Sequence, residues 1–248
     1  MPDKRKAIVT GAASGIGAAT LLELARTGYD VVGLDINEGG VQQVAQRANG
    51  LGGRSLGLGV DVTDEAALVA AFARACEWLG GLDALATSAG VADTTPFMDI
   101  TVEMFREVYA VNVIGTFLCL REAARHMQPG GRICTVASVA GLRGGGLSGT
   151  AAYAASKGGV LALTKNAARA LADRGLSVNT VAPGATLTPM IEEAWKNEAH
   201  RKRVEGMAVQ NRTAAPEEIA KSICFLLSPD ASIMTGTTLV ADGGLVMY

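Results

Sequence analysis

The sequence predicts an α/β fold in which a doubly wound parallel sheet carries helices on both faces. Short apolar strand patterns alternate with helical patterns along nearly all of the 248 residues, and no linker, repeat or low-complexity segment divides them. Alternation of this kind is typical of parallel sheets covered by helices. A chain of this length fits one α/β domain. We therefore expect a single domain over residues 1–248.

The elements of the first half follow from hydrophobic pattern and end signals. Residues 6–10 form a short apolar strand, and helix 16–27 ends at Gly28. A second strand, 29–35, precedes a polar helix at 38–48. A third strand ends at 59–62, and Asp64 is a good N-cap for the helix that continues to residue 79. Three βα units are therefore predicted in sequence.

The second half continues the alternation. Strand 82–87 leads through Pro96 to a long helix, 101–127, and strand 132–137 precedes helix 150–173. Strand 177–182 ends at Pro183. Residues 189–207 have a less regular helical pattern, Pro216 begins a helix to residue 227, and residues 237–241 form the last strand.

Composition excludes several classes of protein. The net charge is −2 with acidic and basic residues interspersed, so no basic surface for nucleic acid or an anionic membrane is predicted. No apolar stretch reaches membrane-spanning length, and residues 1–10 lack the apolar core of a signal peptide. We expect a cytoplasmic protein with neither nucleic-acid nor membrane partners.

No metal site is predicted either. The four cysteines are far apart in apolar surroundings, and the two histidines are too few for a histidine-based centre. Buried free thiols and surface histidines are the expected arrangement.

A glycine-rich loop follows the first strand directly. Gly11, Ser14, Gly15, Ile16 and Gly17 lie between that strand and the next helix, where glycines allow backbone to approach a pyrophosphate and the helix N-terminus offers free N–H groups. This context predicts a Rossmann-like dinucleotide site. Because the glycine spacing differs from the commonest fingerprint, a purely structural turn stays open as an alternative.

Asp35 ends the second strand, where a carboxylate can accept hydrogen bonds from the adenosine ribose and repel a 2′-phosphate. Ile36 follows it, and Ser14 occupies a loop position where a basic residue would meet that phosphate. The cofactor is therefore predicted to be NAD rather than NADP. A turn or cap role for Asp35 is the alternative.

Tyr153 and Lys157 are four residues apart on a predicted helix. This spacing places a phenol and an ammonium on one face, where the positive charge favours phenolate and proton exchange near neutral pH. By itself the pair is equally consistent with a solvated lysine beside a half-buried tyrosine.

Together these motifs resemble the short-chain dehydrogenase/reductase family over essentially the whole chain. The loop from Thr10 to Gly17 resembles its TGxxxGxG motif, and Tyr153 with Lys157 its YxxxK motif. The further matches, in family order, are Asp61-Val62, Ala89-Gly90, Asn112, Ser138, Pro183-Gly184, Thr186, Thr188 and Asp242-Gly243-Gly244.

The resemblance implies an NAD(P)-dependent alcohol dehydrogenase or ketone reductase that acts on a small molecule and is usually a homotetramer. By similarity, Tyr153 is the acid or base, Lys157 tunes it and binds the nicotinamide ribose, and Ser138 orients the substrate oxygen. Asn112 supports a water relay. Asp61 and Val62 border the adenine, Ala89 and Gly90 lie along the cofactor, and the segment from Pro183 and Gly184 to Thr186 and Thr188 closes on the nicotinamide.

Our leading hypothesis is thus NAD-dependent interconversion of a secondary alcohol and a ketone. The alternative within the family is a 3-oxoacyl-[acyl-carrier-protein] reductase, and a different class is a non-catalytic dinucleotide-binding protein. Asp35 argues against the NADPH preference expected of the reductase, and no basic cluster marks a carrier-protein surface.

Two departures from the family pattern concern the substrate side. Thr87 and Ser88 replace its paired asparagines, and the interval from Ser138 to Tyr153 is about two residues longer than usual. The glycine-rich loop in that interval, residues 143–149, is either a substrate wall or a permissive surface loop. Residues 189–207 are either a lid over the substrate or a peripheral helix.

Overall fold

The computed structural model describes residues 4–145 and 150–247 and contains one seven-stranded sheet. The strands, β1 to β7, pair in parallel in the order β3-β2-β1-β4-β5-β6-β7. Their bounds are Lys6–Thr10, Asp30–Asp35, Ser55–Gly59, Ala84–Thr87, Arg132–Val136, Ser177–Pro183 and Thr238–Ala241. The predicted doubly wound sheet is confirmed.

Ten α-helices occur in the described residues. Helices α1 to α10 have the bounds Gly15–Arg26, Glu38–Ala48, Glu65–Leu79, Val102–Tyr109, Thr116–His126, Val139–Arg143, Ala151–Ala170, Pro189–Trp195, Glu198–Glu205 and Pro216–Leu227. A π-helical segment, Ala110–Gly115, joins α4 to α5. Short 3₁₀ turns follow α7 and α10.

Each face of the sheet has its own hydrophobic core. Along β1, Ile8 points to one face and Ala7 and Val9 point to the other, as strand geometry requires. The first core contains residues of α3, α5 and α7, and the second contains residues of α1, α2 and α10. Helices on both faces are the reason that the strands read as nearly continuous apolar runs.

The elements differ from the sequence prediction most clearly in four places. The predicted helix 101–127 contains the π-helical segment. The stretch 189–207 is two helices, because Asn197 caps α9 by accepting from the His200 N–H. Helix α6 was not predicted; it begins after Ser138, whose side chain accepts from the Ala140 N–H. Strand β3 ends at Gly59 and does not reach residue 62.

No helix in the described part of the chain is long and apolar enough to cross a membrane.

Candidate active site

A cleft of about 410 Å³ opens at the carboxyl ends of the parallel strands. Such an edge, at the point where strand order reverses, is where doubly wound sheets bind ligands. Of the residues predicted for the site, those that line the cleft are Gly11, Ser14, Gly15, Ile16, Asp35, Asp61, Val62, Ala89, Gly90, Ser138, Tyr153, Lys157, Pro183, Gly184, Thr186 and Thr188. Gly17 and Asn112 lie behind its surface.

The glycine loop between β1 and α1 is packed so closely that no side chain would fit at two of its glycines. Gly11 has φ +67°, and a Cβ there would lie 2.6 Å from the Ala89 nitrogen. Gly17 packs against the loop, and a Cβ on it would lie 2.0 Å from the Gly11 oxygen. The Ser14 side chain makes no capping hydrogen bond to α1, so the first-turn N–H groups of this helix face the cleft without a side-chain cap.

Asp35 is held firmly at the end of β2. Its two carboxylate oxygens accept from the backbone N–H groups of Ala13 and Asn37, each at 2.9 Å. The turn role considered from the sequence is therefore present, and it also fixes the carboxylate in the cleft wall beside the glycine loop. Ile36 next to it is 73% exposed, and the described lining of the cleft places no arginine or lysine beside Asp35.

Asp61 and Val62 follow β3 at the same end of the cleft. One Asp61 oxygen accepts from the backbone N–H and the hydroxyl of Thr63, each at 2.8 Å. Asp61 thus also caps the turn that follows β3. Val62 is buried against the π-helical segment, close to Gly115.

The Asn112 amide clamps the loop after β4. Its Oδ1 accepts from the Val91 N–H at 2.8 Å, and its Nδ2 donates to the Val91 carbonyl and the Ser156 hydroxyl, each at 2.9 Å. The residue is fully buried in the π-helical segment. Asn112 thus positions the cleft wall and does not line the cleft.

Lys157 lies at the floor of the cleft with its chain only 5% exposed. Its Nζ donates to the Val136 carbonyl at 2.8 Å and lies close to Gly90. Burial lowers the pKa of this ammonium to about 8. The remaining donors of Nζ are available to the cleft.

Tyr153 is one helical turn before Lys157 on α7, and its phenol is near enough to the Ser138 hydroxyl for a hydrogen bond to lower its pKa. The Lys157 Nζ lies 5.7 Å from the centre of the tyrosine ring. Burial raises the pKa of Tyr153, and the bond to Ser138 offsets part of this rise. From the sequence, Lys157 and the nicotinamide charge together are expected to lower the pKa of Tyr153; in the protein without cofactor, burial raises it.

The segment after β6 forms the wall opposite the glycine loop. Gly184 donates its N–H to the Ala241 carbonyl, and the Thr186 hydroxyl donates to the Gly184 carbonyl at 3.1 Å. Thr188 precedes α8 without capping it and packs beside Gly15. The Thr186 hydroxyl is therefore bonded to the Gly184 carbonyl, whereas the Thr188 hydroxyl makes no capping bond to α8.

The sequence missed several apolar wall residues. They line the cleft with backbone or hydrocarbon surface and have no motif of their own: Val60, Val91, Ala92, Val111, Val136, Ala137, Ala140 and Ala185. Pro189, Met190 and Ile191, from the segment considered as a lid, line the cleft too, as do Ile36 and Ser88. Most of them are neighbours in the sequence of predicted site residues, and this is the one signal that would have found them.

The substitution at Thr87 and Ser88 has a visible local effect. The Thr87 hydroxyl is buried and has no hydrogen-bond partner among the described residues. The Ala89 N–H is instead held by the Thr10 hydroxyl at 3.3 Å. The loop thus keeps its place beside the glycine loop without the asparagine side chains.

Within the described residues, no group of three or more histidine, cysteine, aspartate or glutamate side chains is placed to hold a metal ion.

Comparison with known proteins gives matches over the whole chain. A family model described as "Enoyl-(Acyl carrier protein) reductase" matches residues 11–246. The cis-4-hydroxycyclohexanecarboxylate dehydrogenase of Sinomonas cyclohexanicum is 40% identical over 244 residues, which are 97% of this chain and 96% of that protein. The 3-oxoacyl-[acyl-carrier-protein] reductase FabG of Vibrio cholerae is 35% identical, with 97% of each chain covered.

Solved structures also match the chain over nearly its whole length. A short-chain dehydrogenase from Burkholderia cenocepacia J2315, in complex with NADP, superposes with a TM-score of 0.90 at 32% identity and covers 98% of each chain.

Proposed function

Because the chain belongs to the short-chain dehydrogenase/reductase family, whose members are nicotinamide-dependent oxidoreductases, we propose that it is an NAD-dependent dehydrogenase. In this proposal it interconverts a secondary alcohol and a ketone by hydride transfer. The observation that carries the proposal is the hydroxyl pair of Ser138 and Tyr153 beside the buried Lys157, in one cleft with the glycine loop. A carbonyl oxygen placed there meets two hydroxyl donors.

The residues of the cleft fit a dinucleotide. The glycine loop and the uncapped first turn of α1 suit the pyrophosphate, Asp35 suits the adenosine ribose, and Asp61 with Val62 borders the adenine. Lys157 and Thr188 have donors for the nicotinamide half. The dinucleotide, when bound, supplies the hydride acceptor for alcohol oxidation and the hydride donor for ketone reduction.

Tyr153 moves the proton. In reduction, its hydroxyl donates to the carbonyl oxygen, and the raised pKa keeps the phenol protonated at neutral pH for this role. In oxidation, the phenolate accepts the alcohol proton, and the Ser138 hydroxyl and the Lys157 charge stabilise that phenolate. Oxidation therefore speeds up as the pH rises, and reduction slows down.

The decisive experiment is Tyr153→Phe. It removes the proton donor and keeps the ring, so we expect turnover to fall by about 10³-fold or more while NADH binding, read by fluorescence, is retained. Tyr109→Phe is the matched control, since Tyr109 ends α4 outside the cleft lining and stacks on Phe105. Near-normal turnover of a folded, NADH-binding Tyr153→Phe enzyme would contradict the mechanism.

The preference for NAD is supported by the anchored carboxylate of Asp35 and by the apolar Ile36 beside it. We expect kcat/KM for NAD to exceed that for NADP by more than about ten-fold, because the carboxylate repels a 2′-phosphate. Asp35→Asn keeps an acceptor for the Ala13 N–H and removes the negative charge. The ratio of kcat/KM for NAD to kcat/KM for NADP should therefore fall towards one. Equal use of both cofactors by the parent enzyme would rule out this part of the proposal.

A second candidate function is 3-oxoacyl-[acyl-carrier-protein] reductase. The similarity to the Vibrio cholerae enzyme and the description of the family model favour it. Efficient reduction of an acetoacetyl-carrier-protein thioester with NADPH, together with poor oxidation of simple secondary alcohols, would select this function. Binding of NADH without turnover of any carbonyl would instead indicate a non-catalytic protein.

We propose further that residues 189–207 act as a lid. Ile191, Trp195 and Val204 of α8 and α9 form a small cluster apart from the two main cores, and Met190 and Ile191 line the cleft. A segment with a separate, small core opens more readily than the body of the domain. Hydrogen exchange in α8 and α9 should slow on addition of NADH and a ketone; unchanged exchange would argue for a peripheral role.

We also propose a cytoplasmic homotetramer. Ile114 and Phe117 at the α4–α5 junction, 52% and 44% exposed, support self-association, as does the outer edge of β7, which pairs with no other strand in the described part of the chain. Light scattering coupled to gel filtration tests the tetramer, and a monomeric mass at micromolar concentration would contradict it.

A further inference from the structure

The cleft around the catalytic hydroxyls is lined by hydrocarbon. The side chains and backbone that close it on the α6, α8 and β4–α4 sides belong to small or apolar residues: Val91, Ala92, Ala140, Ala185, Met190 and Ile191. Lys157 is the one cation in the described lining, and it is buried and bonded to the Val136 carbonyl. A substrate's charged group therefore finds no exposed cation within this wall.

The charged residues of the cleft are far from Ser138. Asp35 ends β2 and Asp61 follows β3, whereas Ser138 follows β5. In the observed strand order, β2 and β5 are three strands apart and β3 and β5 are four apart, which corresponds to about 14 Å and about 19 Å. Both carboxylates thus lie at the opposite, adenosine-side end of the cleft.

A carboxylate that does not itself line the cleft lies beside the start of the helix that carries Tyr153. Asp93, one residue after the lining residue Ala92, accepts from the Thr150 hydroxyl at 2.7 Å and from the Thr95 hydroxyl at 2.8 Å. Burial raises the pKa of Asp93, but these bonds outweigh it and hold the pKa below its usual range. Thr150 precedes α7, three residues before Tyr153, so a negative charge is fixed beside the start of that helix.

Arg143 is a nearby cation whose charge would favour anionic substrates, against the effect of Asp93 and the apolar wall. It ends α6, five residues after Ser138, and its side chain is exposed and outside the cleft lining. The four residues that separate the described ranges, Gly-Leu-Ser-Gly in sequence, contain no ionisable side chain. Arg143 is therefore the one cation in the Gly-rich residues 143–149. A test must distinguish its effect on anionic substrates from the effect of the apolar wall.

Resting on the proposed function, we infer that the substrate is an uncharged secondary alcohol or ketone with a hydrocarbon body, and that Asp93 disfavours substrates with an anionic group. A substrate carboxylate that is buried against this apolar wall loses its hydrating water and gains no exposed cation in exchange, which is unfavourable. A neutral ring or alkyl chain instead gains free energy in proportion to the apolar area that it buries.

The test compares matched substrates with NAD. One pair is methyl cis-4-hydroxycyclohexanecarboxylate and the free carboxylate, and the other is 2-octanol and 7-hydroxyoctanoate. We expect kcat/KM to favour the neutral member of each pair by about 100-fold or more. Asp93→Asn keeps an acceptor for Thr150 and removes the charge, and it should narrow this ratio about five-fold. Arg143→Met should leave the ratio unchanged.

The opposite results would overturn the inference. A preference for the carboxylates that Arg143→Met abolishes would assign Arg143 as an anion-binding residue and reject the neutral substrate class. An unchanged ratio in Asp93→Asn would reject the role of Asp93. Absence of turnover with all four alcohols, with either NAD or NADP, would refute the proposed function itself, and this inference would fall with it.

Discussion

Replacement of Lys157 by methionine should destroy activity and stabilise the protein at neutral pH. Burial lowers the pKa of Lys157 from 10.5 to about 8. A shift of about 2.5 units corresponds to about 3.4 kcal/mol, which is the free energy by which the folded state disfavours the ammonium. Methionine fills a similar volume without a charge. Loss of the bond to the Val136 carbonyl offsets about 1–2 kcal/mol, leaving a net stabilisation of about 1–3 kcal/mol.

The pH dependence makes this prediction specific. Below pH 8 the lysine is protonated in both states, and its full burial cost lowers the free energy of unfolding. Between pH 8 and 10.5 the unfolded chain binds a proton that the folded protein does not, so the stability of the parent protein rises with pH. The methionine variant lacks this rise. Its advantage should therefore shrink by about 3 kcal/mol between pH 7 and 10.5.

Urea denaturation of both proteins, at one protein concentration and at pH 7, 9 and 10.5, measures this difference. Groups other than Lys157 titrate in both proteins and cancel in the comparison. A stability difference that stays constant from pH 7 to 10.5 would show that Lys157 has an ordinary pKa, and the reasoning from burial would be refuted.

Three further outcomes follow from packing and burial. Gly17→Ala should destabilise the protein by about 2–4 kcal/mol in urea denaturation, because the new Cβ meets the Gly11 oxygen, whereas Gly39→Ala in α2 meets no atom closer than 3.9 Å and should be neutral or slightly stabilising; equal effects would contradict the contact. Asn112→Ala removes the clamp on Val91 and should cost about 2–4 kcal/mol in unfolding free energy, so a loss below 0.5 kcal/mol would show that the clamp is dispensable. The buried thiols of Cys76, Cys119 and Cys134, whose pKa values are raised by burial, should react with a thiol reagent at pH 8 only after unfolding, and rapid labelling of these three in the native protein would disprove their burial.

The fold was predictable because each strand and helix has a local signal. Hydrophobic runs, the Asp64 cap and the prolines at the starts of helices gave the βα alternation, and alternation implies a parallel sheet. The π-helical segment was not predictable, because the Asn112 side chain that accompanies it bonds to Val91 and Ser156, which are 21 and 44 residues away. A helical pattern contains no information about such distant partners.

The composition of the candidate site was predictable, but its electrostatics were not. Spacing alone placed Tyr153 and Lys157 on one face of a helix, and the structure has them there. The direction of the Tyr153 pKa depends on how much protein surrounds the hydroxyl, and a sequence does not contain that quantity. The apolar wall escaped prediction for a related reason, since its alanines and valines become a surface only after the strands and helices pack.

The strand order also determines when the site comes into existence during synthesis. The residues that line the cleft come from segments between Gly11 and Ile191. The half of the sheet formed by β1 to β3 joins the half formed by β4 to β7 through the pairing of β1 with β4, so the two halves of the cleft wall meet there. A ribosome must therefore release about three-quarters of the chain before the whole cleft is present. The residues proposed for the adenosine half come from β1 to β3 and are made early, whereas those beside the catalytic hydroxyls become available only in the nearly complete domain.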